Sequence, residues 1–61
     1  MPTIFFHGPD MDRDKKREMV QSFTETASRL TGIPESAFVV YLQPSNGENV
    51  GVGGKLLIDR K

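Results

Sequence analysis

The run Phe38-Val39-Val40-Tyr41-Leu42-Gln43-Pro44 decides how this chain folds. Its first five residues are β-branched, aromatic or aliphatic, a composition that fits a pleated, half-buried surface. Pro44 closes the run because proline has no N–H to give to a strand ladder. A strand is therefore expected over Phe38–Gln43, after a short turn through Glu35 and Ser36. Working back from it, Met19, Val20, Phe23, Ala27 and Leu30 fall at spacings of 1, 3, 4 and 3, one stripe at helical period. Asp12 is placed to cap the first turn with its carboxylate, and Asp14 complements the helix dipole. Gly32 fits the left-handed position after the last turn, and Pro34 blocks continuation, so the helix runs from Asp12 to Thr31. Lys15, Arg17, Glu18, Gln21, Ser22, Glu25 and Arg29 lie mostly off the stripe and read as a solvated face.

Further back, Thr3-Ile4-Phe5-Phe6-His7 is too short for a helix and suits a strand, which Gly8-Pro9-Asp10 stops. Thr3, Phe5 and His7 share one face, Ile4 and Phe6 the other, and both faces are apolar enough to be covered. Strand, helix and strand make a single β-α-β unit of the α/β class, with parallel strands and a right-handed crossover. Forward of Pro44, Ser45–Asn49 reads as a turn. Val50-Gly51-Val52-Gly53-Gly54-Lys55-Leu56-Leu57-Ile58 reads as a short glycine-rich hairpin that packs across a neighbour. Asp59-Arg60-Lys61 reads as a frayed end.

Two strands and one helix do not close a core, and 61 residues is near the lower limit for folding alone. Small domains compensate with disulfides, metal or association. The chain has no cysteine and one histidine, His7, which leaves association. The simplest form is dimerisation into a four-stranded sheet with two helices, which pairs exposed strand edges.

Eight basic residues balance eight acidic ones, so the basic footprint of a nucleic-acid module is missing. The longest apolar run is far short of the ~18 residues of a membrane span, and no secretory leader pattern opens the chain. A cytoplasmic protein is expected, with no nucleic acid or membrane as partner. The late glycines do not form a phosphate loop. A Walker A motif needs glycine where Asn49 stands and serine or threonine at Leu56, and a dinucleotide fingerprint needs glycine at Leu56. No cofactor and no metal is called for.

Met1-Pro2 carries a different chemistry. Inside a chain, the proline nitrogen is neither donor nor base. Removal of Met1 would free it as a locked secondary amine, and an unperturbed α-amino group titrates near ~8. Modest burial or a nearby cation then leaves it unprotonated at neutral pH.

Taken together, Pro2 behind the initiator methionine, a β-α-β unit in about sixty residues and the Asn49-Val50-Gly51-Val52-Gly53-Gly54-Lys55 segment resemble the 4-oxalocrotonate tautomerase family. His7 in the first strand and the Asp12-to-Lys16 start of the helix extend the likeness over the whole chain, so residues 1–61 read as a single tautomerase-like domain. The resemblance implies a homohexamer built as a trimer of dimers. It also implies Pro2 as catalytic base in a pocket shared between subunits, and a small carboxylate as substrate.

The departures fall on the electrostatic helpers. Counting from the glycines, the family's arginine in the neighbouring strand falls at Val39 and its aromatic residue at Val50. Counting from the helix, its other arginine falls at Met11. A guanidinium holds a carboxylate through a planar, paired set of donors that valine and methionine lack. Arg13 is the nearest substitute as a substrate contact, with Lys16, Lys55 and Arg60 behind it. Thr3, Pro9, Val39, Val50 and Val52 are the expected pocket walls. Tyr41 and His7 read as structural groups of a core or interface. The expected activity is a slow or altered tautomerase that moves a proton in a 2-hydroxydienoate or enol acid. The alternatives are a proline-dependent hydratase or decarboxylase of a small carboxylate, and a non-catalytic oligomeric binding protein.

Overall fold

A computed structural model describes residues 1–59, in which strand β1 (Thr3–Gly8) is followed by helix α1 (Arg13–Thr31) and strand β2 (Val39–Pro44). A 3-10 turn, Glu35–Ala37, leads into β2. A minimal hairpin of β3 (Gly51–Val52) and β4 (Lys55–Leu56) follows, then a 3-10 turn over Leu57–Asp59. Arg60 and Lys61, expected in the frayed end, lie outside the described residues.

Local chemistry sets the bounds of α1. The Asp12 side chain accepts from the Lys15 amide at 2.9 Å, satisfying one of the free donors of the first turn. Gly32 takes φ 76°, and its N–H reaches back to the Ser28 carbonyl at 2.9 Å. The end is locked further by Ser28, whose hydroxyl donates to the Ile33 carbonyl at 2.6 Å.

β1 and β2 are parallel, in the register Thr3↔Val39, Phe5↔Tyr41 and His7↔Gln43. β1 starts where expected and runs one residue further, and β2 is displaced by one residue toward the C-terminus. Gly8 joins β1 opposite Pro44, while Phe38 stays outside β2 because its N–H is spent on the Glu35 carbonyl at 3.0 Å. α1 lies on the Ile4–Phe6 face, where Phe6 meets Phe23 with ring centroids 5.9 Å apart. The half-buried side of α1 runs through Lys16, Met19, Val20, Phe23, Thr24, Ala27 and Ser28, whereas Leu30 is 70% exposed.

The other sheet face has no cover in one chain. Phe5 is 58% and Tyr41 48% exposed, and no described residue is fully buried. The accessible surface is 4921 Å², against roughly 3,950 Å² for a compact monomer of this mass. The radius of gyration is 14.7 Å, against about 10.5 Å for a compact chain of this length. Both excesses come from sheet edges, an open sheet face and a hairpin arm that a single chain does not pack. Among the described residues, no helix is long and apolar enough to cross a membrane.

The hairpin turns on Gly53 and Gly54, with φ of 63° and 86°. Positive φ at both positions is what a two-residue turn matching the twist of its strands requires. The chain then folds back, with the Leu57 amide on the Val50 carbonyl at 2.8 Å and Ile58 against Gly47.

Candidate active site

Pro2 sits immediately before β1 and is half-buried, and its carbonyl accepts from the Val39 amide at 3.0 Å. That bond continues the ladder by one step beyond Thr3↔Val39 and fixes Pro2 against the start of β2. Met1 is 89% exposed, so the bond joining it to Pro2 is open to solvent. Next to Pro2 along the ladder are the half-buried, uncharged Val39 and the exposed Thr3.

The remaining expected site residues lie elsewhere. The far end of β1 lies about 20 Å from Pro2 at the usual rise per strand residue, and Pro9 and then Arg13 follow it in the chain. Val50 precedes β3 and Val52 lies within it, on a hairpin that leaves the sheet after Pro44, opposite Gly8. Val50 is half-buried and Val52 49% exposed. One chain therefore unites Pro2, Thr3 and Val39 and leaves Pro9, Arg13, Val50 and Val52 on the other side. This division follows from the length of β1 and from β1 and β2 running the same way, as the β-α-β reading expects.

Charge at the far end is partly committed. Lys16 pairs with Asp10 at 2.8 Å, and Arg17 with Asp14 at 3.2 Å. The Lys16 hydrogen bond, then the Met11 amide, hold the Asp10 carboxyl below its ordinary value. Lys16 is thereby drawn away from any role as a spare cation. Arg13 makes no ion pair among the described residues and is exposed beside Lys16, Arg17, Val20 and Gln21. Its guanidinium is free to meet a carboxylate presented by another molecule.

Two features, one on the open sheet face and one beside α1, were not legible as part of a site. Phe5 lies between His7 and Tyr41 in a stack, with centroids 6.4 Å and 4.9 Å away and planes tilted by 18° and 10°. A hollow of about 570 Å³ runs between β1 and α1, lined by Ile4, Phe6, Phe23 and Ala27 among others. Both are apolar surfaces with no titratable side chain other than His7 and Tyr41.

Residues 3–60 match the family described as Tautomerase enzyme. No curated protein sequence matches the chain. Among solved structures, DmpI from Archaeoglobus fulgidus is 41% identical with a TM-score of 0.83, covering 95% of this chain and 100% of that one. A 4-oxalocrotonate tautomerase homologue is 32% identical with a TM-score of 0.80, covering 100% of this chain and 98% of that one. A heterohexamer 4-oxalocrotonate tautomerase from Chloroflexus aurantiacus shares the fold, at 14% identity and a TM-score of 0.81, over the whole of both chains.

Proposed function

We propose, from the premise that this chain belongs to the 4-oxalocrotonate tautomerase family, that it is a tautomerase whose Pro2 nitrogen is general base and then general acid. The observation that carries the reading is the position of Pro2, half-buried at the open start of β1 and tied to Val39. The substrate is a small 2-hydroxydienoate or enol acid. The proline nitrogen takes the hydroxyl proton, the O–H pair becomes the C=O π bond, and the displaced carbon–carbon π pair takes the proton back at a distal carbon. No atom is gained or lost. Apolar surroundings favour the neutral amine over its cation, which lets one group serve in both steps.

Stabilisation of the developing oxyanion falls to Arg13 or to main-chain amides, because Met11 and Val39 stand where two arginines would. Arg13 opens α1 beyond the end of β1 that is remote from Pro2, so the pocket is completed by a neighbouring subunit. Pairing of sheet edges into a four-stranded sheet with two helices, and of three such dimers into a homohexamer, supplies that neighbour. The same assembly covers Phe5, Tyr41 and the hairpin.

Mass spectrometry of the isolated protein gives the first test, since a retained Met1 leaves Pro2 as an amide with no basic nitrogen. With Met1 absent, ultraviolet assays of 2-hydroxymuconate and phenylenolpyruvate compare the native protein with Pro2→Ala. Loss of turnover in Pro2→Ala is expected. Equal rates would leave the hydratase, decarboxylase or binding-protein readings in its place.

A further inference from the structure

Resting on the reading of Pro2 as the base, we propose that the site takes an enol acid with one carboxylate and an apolar arm, in preference to a dicarboxylate. The side chain beside Pro2 decides this. Val39 is held there by its N–H, which donates to the Pro2 carbonyl at 3.0 Å; it is half-buried, and its side chain has only methyl groups to offer a second anion. A carboxylate desolvated against valine has no compensating partner, whereas an alkyl or aryl arm loses nothing by leaving water.

The cations available from any copy of the chain point the same way. Lys16 is engaged by Asp10 and Arg17 by Asp14. Arg29 borders a hollow it shares with Glu25 and Glu35, whose carboxylates already supply negative charge. Lys15 and Lys55 are exposed point charges on flexible stems. Arg13 and Arg29 both carry a planar donor fork and make no ion pair among the described residues, but Arg29 faces the two carboxylates of its hollow, whereas Arg13 lies beside Lys16, Arg17, Val20 and Gln21 and has no acidic neighbour there. One fork matches one carboxylate. The remaining expected walls, Thr3, Pro9, Val50 and Val52, are uncharged and suit the rest of the substrate.

The test measures kcat/KM of the Met1-free protein for phenylenolpyruvate, with one carboxylate and an aromatic arm, and for 2-hydroxymuconate, with two carboxylates. Native protein, Val39→Arg and Pro2→Ala are compared. The native protein is expected to prefer phenylenolpyruvate at least tenfold, and Val39→Arg to move the ratio at least tenfold toward the dicarboxylate. A native preference for 2-hydroxymuconate that disappears in Pro2→Ala would overturn the inference and leave the proline base intact. Turnover of both substrates unchanged in Pro2→Ala would overturn the base and the inference with it. A folded Val39→Arg with an unmoved ratio would overturn Val39 as the determinant. If that variant does not fold, the native ratio alone decides.

Discussion

Phe5 and Tyr41 stack across the β1–β2 pair with ring centroids 4.9 Å apart and planes 10° from parallel, on the sheet face that no helix covers. Both rings remain about half exposed in one chain. Burying the exposed half of each against another copy recovers half of the roughly 1.5–3 kcal/mol that complete burial of a large apolar side chain contributes. Phe5→Asp would place a carboxylate in that contact. Sedimentation velocity is expected to show the native protein as an oligomer and Phe5→Asp as smaller species. Turnover should fall with the loss of assembly, because Arg13 and Pro2 of one chain do not meet. A native protein that sediments as a monomer would sink this account of the open face.

The N-terminal cap of α1 gives a stability prediction independent of assembly contacts. Asp12 satisfies the Lys15 amide through its side chain, and alanine leaves that donor to water. Asp12→Ala is expected to lower stability by about 1 kcal/mol, within the range for lost caps. Thermal unfolding followed by circular dichroism reads the change. Asp12→Ser, which keeps an acceptor at the same position, should recover most of it.

These cases separate what the sequence discloses from what it does not. Asp12, Gly32, Gly53 and Gly54 act within a few residues of themselves, so the helix bounds and the hairpin turn were legible from residue type and spacing. The start of β2 was not, because nothing in the β-forming character of Phe38 reveals that its N–H is taken by Glu35. Leu30 fits the helical stripe and is nevertheless 70% exposed, since one chain offers no surface to cover it. The candidate site divides along the same line. That Pro2 lies next to Val39 and that Arg13 lies beyond the far end of β1 both follow from counting along two parallel strands, but the commitment of Lys16 to Asp10 depends on side-chain placement that spacing does not give.

Asp10 and Lys16 form an exposed pair that fixes the loop before α1 to its first turns, at 2.8 Å. The Asp10 carboxyl is held low in the folded chain, chiefly by the Lys16 hydrogen bond. The folded state therefore binds this proton less readily than the unfolded chain, whose carboxylate titrates near ~3.9. Its stabilising contribution is present above that value and is lost as pH falls through the lower folded one. The contribution is small, as for other solvent-exposed pairs, and weakens with salt. Asp10→Asn should abolish that part of the acid dependence, and urea unfolding at two salt concentrations checks it. An unchanged acid limb in Asp10→Asn would remove the pair from the stability account.

Arg13 supplies the sharpest separation between fold and function. Its guanidinium has no ion-pair partner among the described residues and its side chain is exposed, so truncation removes no interaction that the single chain displays. Arg13→Ala is expected to shift stability by less than about 0.5 kcal/mol, as at ordinary surface positions. The proposed role makes the opposite demand on catalysis. A charge-assisted contact to the substrate carboxylate contributes about 1.5–3 kcal/mol, so kcat/KM should fall roughly tenfold to a hundredfold. The loss should lie mainly in KM if the contact is equal in ground and transition states, and in kcat if it tightens as the oxyanion forms. Arg13→Lys keeps the charge but not the fork and should recover only part of the loss. Unchanged kinetics in a folded Arg13→Ala, with Pro2→Ala inactive, would assign the carboxylate to another cation and leave Arg13 as surface charge.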